Sequence, residues 1–146
     1  FPYWFFNYDL WYTVMIKKVD ILIVIINIIF FAYFAIQLII FTDEFSINNL
    51  GFFNHAVAGL SEIIGIIFIT FIIALSIIVF RGLERQLPFI LIIFLFQFLA
   101  ALNFWRYVFT DSPGETNLNI ITINAVIFSI ISCLNLILIL KNINKI

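Results

Sequence analysis

A run of eighteen residues without a charged side chain, Ile63 to Phe80, constrains this chain more than any other feature of its sequence. An apolar run of this length is typical of a helix that crosses a lipid bilayer. Three further apolar stretches of comparable length accompany it. The sequence therefore predicts an all-α, polytopic membrane protein built as a single four-transmembrane-helix bundle. The predicted spans are residues 19–42, 54–80, 87–110 and 118–140, with a polar loop over residues 43–54.

The composition excludes a water-soluble domain of this size. Of the 146 residues, 65% are hydrophobic and only 10% are charged, which leaves too few polar side chains to cover a soluble surface. The net charge of −1 provides no electrostatic basis for nucleic-acid binding. The polar stretches between the spans are short, so we expect neither a separate soluble domain nor a soluble small-molecule substrate.

The first fourteen residues are predicted to form an interfacial aromatic segment. Tyr and Trp favour the headgroup level of a bilayer, where an apolar ring and a polar tip are both satisfied. Such a segment lies along the membrane surface, either as an anchor or as a docking surface for a neighbouring subunit. The eight aromatic residues are Phe1, Tyr3, Trp4, Phe5, Phe6, Tyr8, Trp11 and Tyr12.

The basic residues predict the orientation of the spans. Six of the seven fall on the side of the two termini, and cytoplasmic loops carry an excess of Lys and Arg. Both termini are therefore expected on the inner side of a bacterial cytoplasmic membrane or a mitochondrial inner membrane. The six are Lys17, Lys18, Arg81, Arg85, Lys141 and Lys145.

Polar residues inside the spans are the candidate functional residues. Counted from the inner end of each span, five lie about 24–28 Å up, which predicts a polar layer in the outer leaflet. Within it, an ion pair between Glu62 and Arg106 is geometrically allowed and would join two helices or contact a neighbouring subunit. The alternatives are a site for a lipid headgroup, quinone or ion, and a proton relay through Glu62. The five residues of the layer are Gln37, Glu62, Asn103, Arg106 and Asn124.

Two lower levels of polar residues are predicted to hold the helices together by hydrogen bonds across helix interfaces. The upper of the two, at about 15–17 Å, consists of Thr70, Gln97 and Ser129. The lower, at about 6–11 Å, consists of Asn27, Ser76, Cys133 and Asn135. We interpret Cys133 as a small packing residue within its apolar run.

The sequence contains no complete set of catalytic residues. One His and one Cys cannot build a metal cluster, and no phosphate-binding loop or nucleophile motif is present. We predict no catalytic residues, no metal site and no cofactor of its own, and we expect bound lipids. The chain is expected to be at most a subunit of a membrane enzyme complex.

His55 is the one candidate for cofactor binding. The segment from His55 to Leu60 resembles the His-x-x-x-Gly segment in the membrane anchors of succinate dehydrogenase, where such a helix borders haem and quinone. The resemblance implies that His55 is a haem ligand. It covers six residues, the Asp-Tyr pair that follows in that family is replaced by Gly65-Ile66, and those anchors usually have three spans.

These observations predict a non-catalytic accessory subunit of a larger integral membrane complex, in an energy-transducing membrane of the respiratory type. The short loops, the missing catalytic set and the Phe-rich surface on several helix faces favour this interpretation. Its partners would be other membrane subunits and lipids. Two alternatives remain open: a small oligomeric transporter or channel that uses Glu62, and a lipid- or quinone-binding membrane protein.

Overall fold

The computed structural model describes residues 4–83, 85–111, 114 and 116–143, with side chains from residue 18 onward. Five helices make up nearly all of this part of the chain, and it contains no strand. They are α1 (Trp4–Ile39), α2 (Thr42–Leu50), α3 (His55–Arg81), α4 (Leu87–Phe109) and α5 (Leu118–Asn142). The prediction of an all-α fold is confirmed.

Four of the five helices are long and apolar enough to cross a membrane, as predicted. They are the segment Lys18–Ile39 of α1 and the whole of α3, α4 and α5. The backbone from Trp4 onward belongs to α1, so residues 4–14 continue directly into the first of these segments. Their side chains and residues 1–3 lie outside the described part of the structure, so the interfacial role of this region stays a prediction.

The prediction of a polar loop over residues 43–54 is wrong for residues 43–50, where the chain forms α2. Two hydroxyl groups support this short helix by bonding back one turn. Thr42 Oγ1 donates to the carbonyl of Leu38 at 2.7 Å, and Ser46 Oγ donates to that of Thr42 at 2.6 Å. Gly51, with a φ of 80°, ends the helix in the left-handed conformation that glycine adopts without strain.

The ends of the long helices follow from local sequence. Asn54 precedes α3, and its side-chain oxygen accepts a hydrogen bond from the Val57 N–H at 2.8 Å. Asn117 precedes α5 and accepts from the Asn119 N–H at 2.9 Å. These caps satisfy backbone donors that have no partner within the helix. Pro88 lies in the first turn of α4, where a missing N–H costs nothing.

The helices associate as two close pairs, α1 with α3 and α4 with α5, and α1 also contacts α5. Gly65 permits the close approach of α3 to α1, since a Cβ placed there would lie 2.5 Å from Ile39 Cγ1. Phenylalanine rings fill the space between the two pairs. Phe68 of α3 and Phe96 of α4, for example, have ring centroids 5.6 Å apart. Such edge-to-face contacts add to the free energy of apolar burial.

The antiparallel contact of α1 with α5 has a regular register. Asp20 meets Asn142, Asn27 meets Asn135, and the rings of Phe34 and Phe128 lie 5.5 Å apart. Seven residues forward along α1 correspond each time to seven residues back along α5. Seven residues are close to two helical turns, so these three levels lie on one face of each helix. Two of the three levels are polar.

Candidate functional site

Three amide side chains form a closed hydrogen-bond network in the interior of the bundle. Asn27 of α1 and Asn135 of α5 bond to each other through both of their amide groups, with each nitrogen 2.9 Å from the other residue's oxygen. Gln97 of α4 donates to Asn27 Oδ1 at 2.9 Å and accepts from Asn135 Nδ2 at 2.6 Å. All three are buried, with 1% or less of their surface exposed. We call these residues the amide triad.

The amide triad joins three helices, and its polar atoms find their hydrogen-bond partners inside the bundle. The second hydrogen of Asn27 Nδ2 goes to the carbonyl of Ile23 at 2.9 Å. Within the described part of the chain no buried side-chain nitrogen or oxygen lacks a hydrogen-bond partner. The triad contains no group that titrates near neutral pH and no nucleophile. The triad therefore has a structural role, because separating the helices would leave amides unpaired in an apolar interior.

The prediction of interhelical hydrogen bonds is confirmed for part of the two lower levels. It holds for the triad and for Ser129, whose hydroxyl accepts from Trp105 Nε1 at 3.0 Å. Thr70 and Ser76 instead donate to carbonyls of their own helix, at 2.7 and 2.8 Å. The interpretation of Cys133 as a packing residue inside the bundle is wrong, because its side chain is exposed on α5. Apolar neighbours in sequence do not indicate which face of a helix is buried.

An ion pair joins α1 to α5 at the end of the bundle where α5 ends, and it was not predicted from the sequence. Lys141 Nζ of α5 lies 2.7 Å from Asp20 Oδ1 of α1. Asn142 Nδ2 donates to the other carboxylate oxygen at 3.2 Å and to the Leu138 carbonyl at 2.9 Å. Asp20 is 5% exposed. The signal was present in the sequence as the spacing of seven residues from Asp20 to Asn27 and from Asn135 to Asn142.

The structure does not bring the five residues of the predicted outer layer together. Asn124 of α5 donates instead to Asn49 Oδ1 of α2 at 3.1 Å. The Asn49 carbonyl accepts from Thr116 Oγ1 at 2.7 Å, which ties α2 to the start of α5. Gln37 is half-buried and has no hydrogen-bond partner among the described residues. Asn49 was not predicted to make this contact because its segment was interpreted as a loop.

Glu62 and Arg106 do not form the ion pair that the sequence allowed. Both side chains are exposed, and neither has an ionic partner in the part of the chain that the structure describes. The Arg106 guanidinium lies over the ring of Tyr107, 4.7 Å from its centroid, which is a cation–π contact. Asn103 is exposed on the same face of α4 as Arg106.

The packing of the helices explains why this pair does not form. α3 packs against α1 and α4 against α5, whereas α3 and α4 have little direct backbone contact. The buried face of α3 near Glu62 consists of Ser61, Gly65 and Phe68, and that of α4 near Arg106 includes Gln97 and Ala101. Glu62 and Arg106 are turned away from these faces, so both charges point outward from the bundle.

His55, the candidate cofactor ligand, is the first residue of α3 and is exposed. Across residues 4–83, 85–111, 114 and 116–143 there is no group of three His, Cys, Asp or Glu side chains that could hold a metal ion. The implied role of His55 toward haem stays a prediction.

The fold and its polar contacts define a class of protein. It is a multi-pass bundle of four spanning-length helices, held together by a buried amide triad and by an ion pair at one end. Comparison with protein-family models, with curated proteins and with solved structures finds no match to this chain.

Proposed function

We propose that this chain is a non-catalytic, structural subunit of a larger integral membrane complex. The observation that carries the proposal is the outward position of Glu62 and Arg106 on helices of spanning length. Charged side chains at membrane depth are costly unless they pair, so they normally face a partner or water. The described chain supplies no ionic partner for either residue. A neighbouring membrane subunit would supply one.

The uneven burial of the four helices supports the same proposal. In the most apolar stretch of each helix, 44% of residues are buried in α1 and 39% in α5, but only 22% in α3 and 28% in α4. α3 and α4 therefore present most of their surface outward, and these two helices carry the unpaired charges. The polar groups of the interior are already used in structural contacts, which favours a scaffold over a transport path.

The location and orientation predicted from the sequence belong to this proposal. Both termini would lie on the inner side of a bacterial cytoplasmic membrane or a mitochondrial inner membrane, and the complex would be of the energy-transducing kind. The exposed apolar surface, which includes Ile63, Ile66 and Leu99, would contact lipid where it does not contact a subunit. Bound lipids are accordingly part of the proposal.

Purification of the full chain from its native membrane in a mild detergent tests the proposal. We expect other integral membrane proteins to remain attached in fixed ratio, and we expect E62Q and R106Q to reduce their recovery. The matched control is E44Q, which removes an exposed carboxylate from α2 outside the two helices concerned. Recovery of the wild-type chain without any other membrane protein would contradict the proposed function.

A further inference from the structure

We infer that one neighbour of this chain in the membrane is a second copy of itself, held by reciprocal contacts between Glu62 of one copy and Arg106 of the other. The inference rests on the proposed function, because it takes the two exposed charges as subunit contacts and identifies what they contact.

The two charges lie at the same depth. Glu62 is nineteen residues from Arg81, the last residue of α3, and Arg106 is nineteen residues from Leu87, the first residue of α4. Both distances correspond to about 28 Å along a helix. A short turn joins these two helix ends, so they start from one level. Two copies inserted with the same orientation therefore present Glu62 and Arg106 to each other at one height.

The contact between Glu62 and Arg106 must be made between chains. In one copy Glu62 and Arg106 are exposed on helices that have little backbone contact with each other, and they form no ion pair. A second copy carries both a cation for Glu62 and an anion for Arg106. A lipid headgroup phosphate would serve Arg106 but would repel Glu62. The complementarity of the two charges thus favours a copy of the chain over lipid.

There is room for a neighbouring helix beside Glu62. Gly59 lies one turn away on the same face of α3, and a Cβ built on it meets no atom within 4 Å. Small residues at such positions let a second helix approach closely in a membrane. Tyr107 restrains the Arg106 guanidinium through the contact described above, which reduces the entropy lost when the pair forms.

Charge reversal tests the inference. Two copies of the full chain with different affinity tags are expressed together, and one tag is used to recover the other. We expect wild-type copies to co-purify. With E62R in both copies, or R106E in both, we expect recovery to fall about tenfold, because equal charges then meet at every contact; tenfold corresponds to about 1.4 kcal/mol. An E62R copy expressed with an R106E copy should restore recovery, since opposite charges meet again.

The restored mixture separates a lost contact from a misfolded variant, because both members of the mixture fail with their own kind. E44R, which makes the same charge change on the exposed face of α2, is the matched control and should co-purify normally. A second measurement is cross-linking in a C133S background, which removes the exposed native thiol. There, E62C copies mixed with R106C copies should form an intermolecular disulfide.

The outcomes are distinct from those that test the proposed function. Failure of wild-type copies to co-purify, unchanged recovery of E62R or R106E, or failure of the mixture to restore recovery would each overturn the inference, even if other proteins remain bound. Loss of native lipid from R106E without loss of the second copy would assign Arg106 to a headgroup and would also overturn it. Association of copies without any other protein would support the inference and contradict the accessory-subunit proposal.

Discussion

Single polar side chains, rather than the abundant apolar ones, give this bundle its unique arrangement. Apolar side chains can contact lipid as well as one another, so apolar burial alone does not select one helix arrangement over another. The side-chain hydrogen bonds among Asn27, Gln97 and Asn135 form only in one relative position of α1, α4 and α5. Polar residues buried in helix interfaces fix register in this way.

Replacement of Asn135 by Leu should test the amide triad. N135L keeps the branched shape but removes two donor contacts and one acceptor contact, and it leaves Gln97 Oε1 buried without its partner. We expect the free energy of unfolding to fall by about 2–3 kcal/mol. The measurement is unfolding in mixed micelles, with Trp4 and Trp11 replaced by Phe. The remaining fluorescence is that of Trp105 of α4, which donates to Ser129 of α5.

The matched control for N135L is T70V. Thr70 is exposed and its hydroxyl bonds only to a carbonyl of its own helix, so its loss should change stability by less than about 0.5 kcal/mol. Equal effects of N135L and T70V would show that the triad contributes nothing beyond local helix bonding.

Removal of the buried carboxylate at Asp20 should also destabilise the bundle. D20N loses the ionic contact with Lys141 and weakens the one with Asn142, and we expect a loss of about 1–3 kcal/mol. Lys141 is 26% exposed and can reach water, which places the effect toward the lower end. D43N, at an exposed carboxylate of α2, is the control. A double-mutant cycle with K141Q measures the coupling, and additive effects would contradict it.

At the scale of helices, the structure distinguishes two glycines of α3 that look alike in the sequence. Gly65 faces α1, where an added Cβ would lie 2.5 Å from Ile39 Cγ1 and 3.3 Å from Leu38 Cβ. Gly59 faces open space. Only the first is required for the close pairing of α1 and α3.

A pair of alanine substitutions tests this difference. Both G65A and G59A gain helix propensity of about 1 kcal/mol, so that term cancels in the comparison. G65A must also displace Ile39 and Leu38, and we expect it to be less stable than G59A by about 1–3 kcal/mol. Thermal unfolding of both proteins in the same detergent measures the difference. A G65A protein as stable as G59A would show that α1 can move away from α3 at no cost.

The sequence predicted the positions of the long helices well, but it predicted poorly which face of each helix is buried. Both results have one cause. Length and lack of charge identify a helix such as α3 directly. The same lack of contrast hides its buried face, because Ile and Phe occur all round it. The prediction that Asn27 and Asn135 bond across helices was correct because amides have few other options in an apolar setting. Glu62 and Arg106 were assigned to one layer by depth, which does not specify direction.

For the whole molecule, the sequence could not show which helices are central. α1 and α5 are more buried than α3 and α4, although all four have a similar apolar character. Polar contacts between distant residues, such as Asp20 with Lys141, hold α1 and α5 together. α2 adds a tie at the opposite end through Asn49. The seven-residue spacing of Asp20 and Asn27 hinted at the first tie, whereas no spacing indicated the second.

The two tied ends should lie on opposite sides of the membrane, and thiol labelling tests this. In a C133S background, N48C on α2 and K18C on α1 each provide one exposed thiol. The excess of Lys and Arg on the side of Lys18 predicts that this side stays inside. A membrane-impermeant maleimide added to intact spheroplasts or mitoplasts should therefore label N48C and not K18C. After permeabilisation both should react, while C133S alone remains unlabelled. Labelling of K18C before N48C would reverse the orientation, and labelling of both without permeabilisation would mean that α1 does not cross the membrane.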